Sequence, residues 1–297
     1  MLNKKQLGSA CGNKRNQDAL TVIIPNYNKE KYVRECVQSV LNQTFLPDEI
    51  VIVDDCSTDS SREIINDLCV ENSLVKAIYL DKNAGVSHAR NIGLRAAKSN
   101  FVTFLDSDDF YANKYKLQNE MALIDKHGAD IIAYSKLKFA DLDGNIIKQE
   151  RFSNRSYLTG NIFFKMLIGK FKFATIARDY CIKRNTLIEI GGYNEDRNLY
   201  EDLELLLKLA RNHLFFCTYE FGTAYRQVPG GLSKRRLEEH KKARDEIFYE
   251  NLEAFSDGWR RIFVLARKGN DVLGKASEVI WKIINVLKVQ IRKRISW

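Results

Sequence analysis

Four short apolar runs, at residues 21–24, 49–53, 75–80 and 101–105, alternate with segments of helical period. This alternation limits the fold more than any other feature of the chain. The runs are dominated by Val, Ile and Phe and close on polar or turn residues, the pattern of buried strands. Between the first two, residues 31–42 put Tyr32, Val33, Cys36, Val37, Val40 and Leu41 on one helical face. A helix running toward residue 70, capped at Ser57 or Thr58, and another over 84–98 fill the next two intervals. Strands that are apolar along their whole length and joined by helices specify a mostly parallel sheet covered on both faces. Ligands of such sheets collect at the carboxyl ends of the strands.

The fourth run leads directly into Asp106-Ser107-Asp108-Asp109, so three carboxylates are expected at one strand end. Carboxylates this close repel one another unless a cation or donor groups offset the charge. Hard oxygens suit Mg²⁺ or Mn²⁺, which bridge one or two carboxylates to substrate phosphates. The same residue types also suit an acidic turn or a helix cap. After Asp109 the pattern is mixed. Residues 130–134 and 136–139 read as strands around a turn at Asp143-Gly144, a helix is expected over 201–212, and the chain reads as helical from 237 onward.

Charge and cysteine usage narrow the class. The chain has 297 residues, 47 basic against 38 acidic, for a net +9. Much of the excess lies late, in Lys234-Arg235-Arg236, Lys241-Lys242 and Arg292-Lys293-Arg294, as expected of a docking surface. Val279, Ile280, Ile283, Ile284, Val286, Leu287 and Ile291 recur at helical spacing among Lys282, Lys288 and the last basic cluster, flanked by Trp281 and Trp297. Such a helix suits an anionic membrane surface. It equally suits packing on the preceding domain or a homodimer contact. No nucleic-acid motif accompanies the charge, so nucleic acid is not an expected partner. The six cysteines form no C-x-x-C pair, the N-terminus has no signal-peptide core, and no window offers the roughly 18 apolar residues of a membrane span. These features predict reduced thiols in a cytoplasmic protein, with docking at the inner membrane face as the one membrane role.

Six motifs in order make the chain resemble family 2 glycosyltransferases, the inverting GT-A enzymes, over about residues 19–233. They are Thr21-Val22-Ile23-Ile24-Pro25-Asn26-Tyr27-Asn28, Val51-Ile52-Val53-Asp54-Asp55-Cys56-Ser57-Thr58-Asp59, Asn83-Ala84-Gly85-Val86-Ser87-His88-Ala89-Arg90-Asn91-Ile92-Gly93, the acidic run, Gly191-Gly192-Tyr193-Asn194-Glu195, and Glu201-Asp202. The resemblance implies the GT-A α/β fold, Rossmann-like with helices on both faces. It divides the chain into a loose tail (1–18), a catalytic domain (19–233) and a basic helical extension (234–297). It further implies transfer of one sugar from a nucleotide-sugar, most simply a UDP-sugar, in surface-polysaccharide synthesis with a lipid-linked or oligosaccharide acceptor.

The resemblance also implies roles for particular residues. Pro25, Tyr27, Asn28 and Asp55 hold the nucleotide. A carboxylate accepts the uracil N3–H, and an aromatic ring packs on the base. The residue-level alternative for Asp54-Asp55 is a helix cap. Gly85 gives the tight turn before a helix, and Arg90 faces the nucleotide; its alternative is a pairing with Asp106. His88 is expected to make a local polar contact. Asp106, Ser107 and Asp108 join the donor site, with Asp108 and Asp109 toward Mg²⁺ or Mn²⁺. Asp202 is the general base and Glu201 orients it or the acceptor, against the simpler reading of both as helix-dipole partners. The chain departs from the family where relatives carry Tyr-Arg-x-His. Here Tyr225-Arg226-Gln227-Val228 puts Val at the His position and leaves Arg226, Ser233, Lys234 or added water to serve the diphosphate. The Gln-x-x-Arg-Trp pattern of processive relatives is absent, which favours single-sugar transfer. Two rival functions carry different sequence marks. A nucleotidyltransferase would show a Gly-rich basic loop after the first strand, and an inactive sugar-nucleotide-binding scaffold has Val228 as its support.

Overall fold

A computed structural model describes residues 19–147, 159–167, 179–197, 199–228, 237–253 and 255–272. The chain divides into two compact units, Met1–Ile162 with Ala174–Arg235, and Phe163–Phe173 with Arg236–Trp297. The second takes residues 163–173 out of the region that the sequence reading assigned to a single catalytic domain.

The first unit is built on β1 (Leu20–Asn26), β2 (Glu49–Asp54), β3 (Val75–Tyr79), β4 (Phe101–Phe104) and β8 (Ile182–Lys183), in the order β3-β2-β1-β4-β8. The first four run parallel and β8 is antiparallel to β4. The intervening helices are α1 (Val33–Leu41), α2 (Ser61–Glu71) and α3 (Val86–Ala96). Both sheet faces are apolar, as the continuous runs require. Val22, Ile24, Ile50 and Ile52 pack with Val33, Cys36, Val37 and Val40 of α1 and Ile65 and Leu68 of α2. Val51 and Val53 face the opposite way, onto Ala89 of α3. Each such aliphatic side chain contributes on the order of 1.5–3 kcal/mol by burial. On the α3 side the approach is close, since a Cβ at Gly93 would lie 2.4 Å from Ile23 Cγ2. The register sets Asn26 opposite Asp54, and Leu105 N donates to Ile23 O, so the polar ends of β1, β2 and β4 share one edge.

A second sheet, in the order β5-β9-β6-β7, joins β5 (Phe110–Tyr111), β6 (Ile132–Ala140), β7 (Ile146–Ile147) and β9 (Phe215–Arg226). Here the expectation needs correction. Residues 130–139 are not two strands about a turn. Positions 132–140 form one strand, with register shifts near Lys136, and the Asp143-Gly144 turn joins it to β7. Three further helices complete the first unit: α4 (Lys116–His127), α6 (Arg184–Glu189) and α7 (Glu201–Asn212). The α7 bounds match the sequence reading, whereas α4, β8, α6 and β9 were not anticipated. The second correction concerns α2. It starts at Ser61, with Ser60 at the N-cap position, so neither Ser57 nor Thr58 caps it.

The second unit contains α5 (Phe163–Leu167), α8 (Leu237–Leu252) and α9 (Asp257–Val272). Its packing is aromatic. Phe263 is buried between Trp259 and Phe255, and Phe255 stacks on Phe163. Arg267 lies over the Phe248 ring and pairs with Asp245. No described helix is long and apolar enough to cross a membrane. The expected tail at 1–18, the amphipathic segment at 279–297, and Ser233 and Lys234 lie outside the described residues.

Candidate active site

The site is assembled at the carboxyl edge of the parallel sheet. The pairing of β1 with β4 ends at Ile23–Phe104, so Pro25 sits beyond the last β4 partner and interrupts no ladder there. Tyr27 follows on the surface with its ring 44% exposed, open to a stacking partner. Asn28 adopts φ 52°, a left-handed conformation that Asn tolerates better than most residues. Its side chain accepts from Thr58 N at 2.8 Å, while Asn28 N donates to Ser57 Oγ at 2.9 Å. Lys29 N binds Ser61 Oγ, and Glu30 and Asp59 exchange contacts through Ser60 N and Glu30 N. Asn28 is therefore a fastener between the two loops, and the resemblance-based nucleotide role would have to use its backbone or the edge of its amide.

The two aspartates at the end of β2 divide their work. Asp54 is fully buried and accepts from Asn26 Nδ2, Ser57 N and Arg62 Nε. Burial alone would raise its carboxyl, but the hydrogen bonds from Ser57, Arg62 and Asn26 outweigh this and hold it below the usual carboxylate range. Asp55 accepts from Ala84 N and Gly85 N, both at 2.8 Å. Neither acts as an N-cap of α2. Gly85 has φ 92°, which only glycine adopts without strain, and it opens α3. Asp55 thus fixes the Gly85 turn, and each carboxylate oxygen keeps a further lone pair.

Arg90 joins the halves of the site. It is fully buried on α3, with Nη2 2.7 Å from Asp106 Oδ1 and Nη1 3.0 Å from Glu201 Oε1. Its guanidinium lies over the Tyr193 ring, 5.1 Å from the centroid. The carboxylate pairing named as the alternative for Arg90 is the one the structure gives, and it includes a second partner that the sequence did not indicate. One planar fork therefore holds the first residue of the acidic run and the residue beside Asp202. Asp202 is partly buried at the start of α7, and its Oδ1 accepts from Leu203 N at 2.8 Å. The residue before this pair, Tyr200, is in the left-handed region at φ 64°. Glu204, one turn along, anchors the approach to α7 through Asn194, Arg197 and Lys208.

The Gly191-Gly192-Tyr193 segment is fixed by Asn91. Its Nδ2 donates to Tyr193 O and to Glu195 Oε1, and its Oδ1 accepts from Tyr193 N. Gly192 combines φ 67° with a Cβ position 2.5 Å from Asn91 Oδ1, so any side chain there would dislodge Asn91. His88 makes the local contact expected of it, with Nδ1 2.7 Å from Glu195. Hydrogen bonds from Asn91 and His88 hold the Glu195 carboxyl below its ordinary value.

The acidic run is anchored at every carboxylate. Asp106 meets Arg90; Asp108 Oδ2 lies 2.8 Å from Lys29 Nζ; Asp109 is buried, with Oδ1 accepting from Arg226 N at 2.8 Å. Ser107 is also buried. Burial, then the nearby carboxylates Asp109, Asp108 and Asp106, push the Cys36 thiol up, which keeps it protonated behind the run. Among the described residues no group of three or more His, Cys, Asp and Glu converges as a metal cage. Mg²⁺ needs no such cage, since one or two carboxylates with water and substrate phosphates suffice. The partly exposed Asp106 and Asp108 fit that donor set. Asp109, buried and committed to Arg226, fits it less well. The sequence reading missed Lys29 and Glu35. The position of Lys29, directly after Pro25-Asn26-Tyr27-Asn28, was the available signal.

Comparison with known proteins follows the same motifs. Residues 21–193 match the model of Glycosyl transferase family 2. An uncharacterized glycosyltransferase of Haemophilus influenzae is 38% identical over 157 residues, covering 52% of this chain and 62% of that protein. The poly(ribitol-phosphate) beta-N-acetylglucosaminyltransferase TarS of Staphylococcus aureus is 34% identical over 167 residues, 54% of this chain and 28% of TarS. The chain thus spans less than two thirds of the length of either relative. The crystal structure of S. aureus TarS 1-349 in complex with UDP-GlcNAc superposes with TM-score 0.63 at 25% identity, covering 85% of this chain and 73% of that one.

Proposed function

Because the chain belongs to glycosyl transferase family 2, we propose that it moves a single sugar from a UDP-sugar to an acceptor hydroxyl with inversion at the anomeric carbon. The observation that carries this reading is the Arg90 fork, which holds the acidic run at the end of β4 and the Glu201-Asp202 pair at the start of α7 to one guanidinium. A donor-side acid and Glu201, the residue beside the candidate base Asp202, are thereby held on one buried cation.

The nucleotide end is assigned to Tyr27, for stacking, and Asp55, which accepts the uracil N3–H. The S. aureus relative solved with UDP-GlcNAc supports uridine as the base. Asp202 takes the proton of the acceptor hydroxyl while its oxygen attacks the anomeric carbon. The bond to the diphosphate breaks on the opposite face, and the departing UDP carries away the electron pair. An aspartate has an ordinary pKa near 3.9 and is a weak base in the ground state, so proton transfer comes late, when the attacking oxygen has become acidic. Asp106 and Asp108 would hold Mg²⁺ or Mn²⁺, which supplies charge neutralisation at the leaving diphosphate. Lys29, already beside Asp108, adds a fixed positive charge to the same region.

We assign the acceptor to a surface polysaccharide or lipid-linked oligosaccharide. A relative whose name gives poly(ribitol-phosphate) as acceptor supports a polymer. Docking of the basic segment at 279–297 on an anionic membrane is part of the same proposal and rests on the sequence pattern. The test is transfer itself. The full chain is incubated with UDP-GlcNAc, UDP-glucose, UDP-galactose and GDP-mannose, each with Mn²⁺ and polymer or lipid-linked acceptors. Release of the nucleoside diphosphate (UDP or GDP) is followed, and the product anomer is read from its proton coupling. A β-linked product from an α-linked UDP-sugar is expected. An α-linked product, or release from GDP-mannose alone, would reject the reading.

A further inference from the structure

Arg226 stands where related chains carry the Arg of Tyr-Arg-x-His, and the sequence left it free to meet the donor diphosphate. The structure places it elsewhere. Arg226 ends β9 and is only 3% exposed. Its backbone N donates to Asp109 Oδ1 at 2.8 Å and its Nε to Asp108 O at 2.9 Å. Nη1 donates to Leu142 O at 2.7 Å and Nη2 to Glu35 Oε2 at 2.6 Å. The guanidinium also lies over two rings, 4.8 Å from the Tyr32 centroid and 5.2 Å from that of Phe110.

These partners come from four parts of the first unit: the acidic run, α1, β5 and the turn after β6. The turn is shaped for the contact. Gly144 has φ 84°, and a Cβ there would lie 3.3 Å from Glu35 Oε1 and 3.4 Å from Arg226 Nη1. Glycine lets the turn close over the ion pair. Three of the five N–H donors of Arg226 meet two carbonyls and a carboxylate, and burial leaves the others little access to a substrate. Breaking such a set costs more than an exposed ion pair would, because the remaining groups stay buried without partners.

We propose that Arg226 is a positioning residue of the donor site: it fixes the Asp108-Asp109 loop through Glu35 and the 141–145 turn and does not bind the diphosphate. The proposal rests on the donor-site reading above. Catalytic geometry is sensitive at this scale, since a displacement of about 1 Å can cost on the order of 10²-fold. Glu35 is the informative partner. It is half exposed on α1 and anionic, and so is a poor ligand for a diphosphate.

The test measures UDP affinity by calorimetry, with thermal unfolding as the control for folding, for the wild-type chain, Glu35→Ala, Arg226→Lys and the double variant. Glu35→Ala should still fold, since Ala suits a half-exposed helix position, with a lowered unfolding temperature from the Arg226 contact it removes. If Arg226 acts by position, Glu35→Ala weakens UDP binding about fivefold and Arg226→Lys about tenfold, the scale of one ordinary hydrogen bond. On the Arg226→Lys background, Glu35→Ala then adds less than about twofold, because the two act through one contact. If Arg226 instead bound the diphosphate, releasing it from Glu35 would leave affinity unchanged or raise it. That outcome, or a Glu35 effect that persists in full on the Arg226→Lys background, overturns the proposal. Failure of the wild-type chain to bind UDP would overturn the donor-site reading instead, and is distinguished by that arm alone.

Discussion

Replacing Asp202 with asparagine is expected to slow sugar transfer by about 10²–10⁴-fold, the range for loss of a positioned general base, while UDP affinity stays within about twofold. The substitution is well suited to the question. Asparagine keeps the Oδ1 that accepts from Leu203 N, so the first turn of α7 is preserved. It cannot take a proton from the acceptor hydroxyl. Glu201 remains on Arg90 and leaves the acidic run in place. Single-turnover transfer and UDP calorimetry on the same preparation separate the two effects. Transfer at the wild-type rate would remove Asp202 from the base role. Loss of UDP binding together with transfer would show that the residue shapes the donor site.

Arg90→Met is the second large effect, and it acts on folding and function together. The guanidinium is fully buried between Asp106 and Glu201, whose side chains are 18% and 8% exposed. Methionine fills much of the volume and removes the charge, leaving two carboxylates to face each other with little water. Removing one partner of a buried ion pair costs about 3–5 kcal/mol, and the low end applies here because Asp106 retains some solvent. Chemical denaturation should therefore show a loss of about 3 kcal/mol. UDP binding and transfer fall with it. Arg90→Lys is expected to restore part of the stability and little of the transfer, since an ammonium cannot present the planar fork to two carboxylates. Wild-type stability and turnover in Arg90→Met would mean that the fork does not organise the site.

Residues 20–104 were readable because β1, β2 and β4 are largely apolar on both faces and the helices between the strands carry one apolar stripe each. Burial by helices on both sides leaves that signature and little ambiguity. The second sheet was not readable for physical reasons. β9 interrupts its apolar residues with Glu220 and Gly222, and its ladder partner β6 lies far back in the chain. Gly222 makes sense only in three dimensions, where a Cβ would meet Ser135 and Lys116. Helix α4 pairs Lys116 with Glu120 four residues on, which reads as a solvated face. Both are fully buried, with Lys116 Nζ 2.9 Å from Glu120 Oε2 and Ser135 hydrogen-bonded to the same carboxylate. Charge pattern alone cannot separate those environments.

Within the site, the strand-end acids could be grouped from the sequence, but of their partners only Arg90 for Asp106 was indicated. Asp54 and Asp55 look equivalent in sequence. The structure separates them, because Asp54 is enclosed by Asn26, Ser57 and Arg62 whereas Asp55 meets the Gly85 turn. Arg90 could be matched with Asp106 from sequence, since the two lie on adjoining elements. Its second partner, Glu201, is 111 residues away and emerges only from packing. Arg226 shows the limit most clearly. An arginine near a proposed diphosphate site reads as a phosphate ligand until two rings, two carbonyls and Glu35 are found around it.

If the carboxyl edge of this sheet is a uridine diphosphate site, UDP stabilises the folded chain against heat. The full chain is unfolded thermally with UDP, GDP, dTDP and CDP, each with and without Mn²⁺, and in parallel with Asp55→Ala. A ligand at about 100 times its Kd adds about 2.7 kcal/mol to the folded state. The expected result is a clear shift with UDP, larger with Mn²⁺, smaller with the other nucleotides, and lost in Asp55→Ala. Equal shifts with all four nucleotides, no shift with UDP, or an undiminished UDP shift in Asp55→Ala would contradict it.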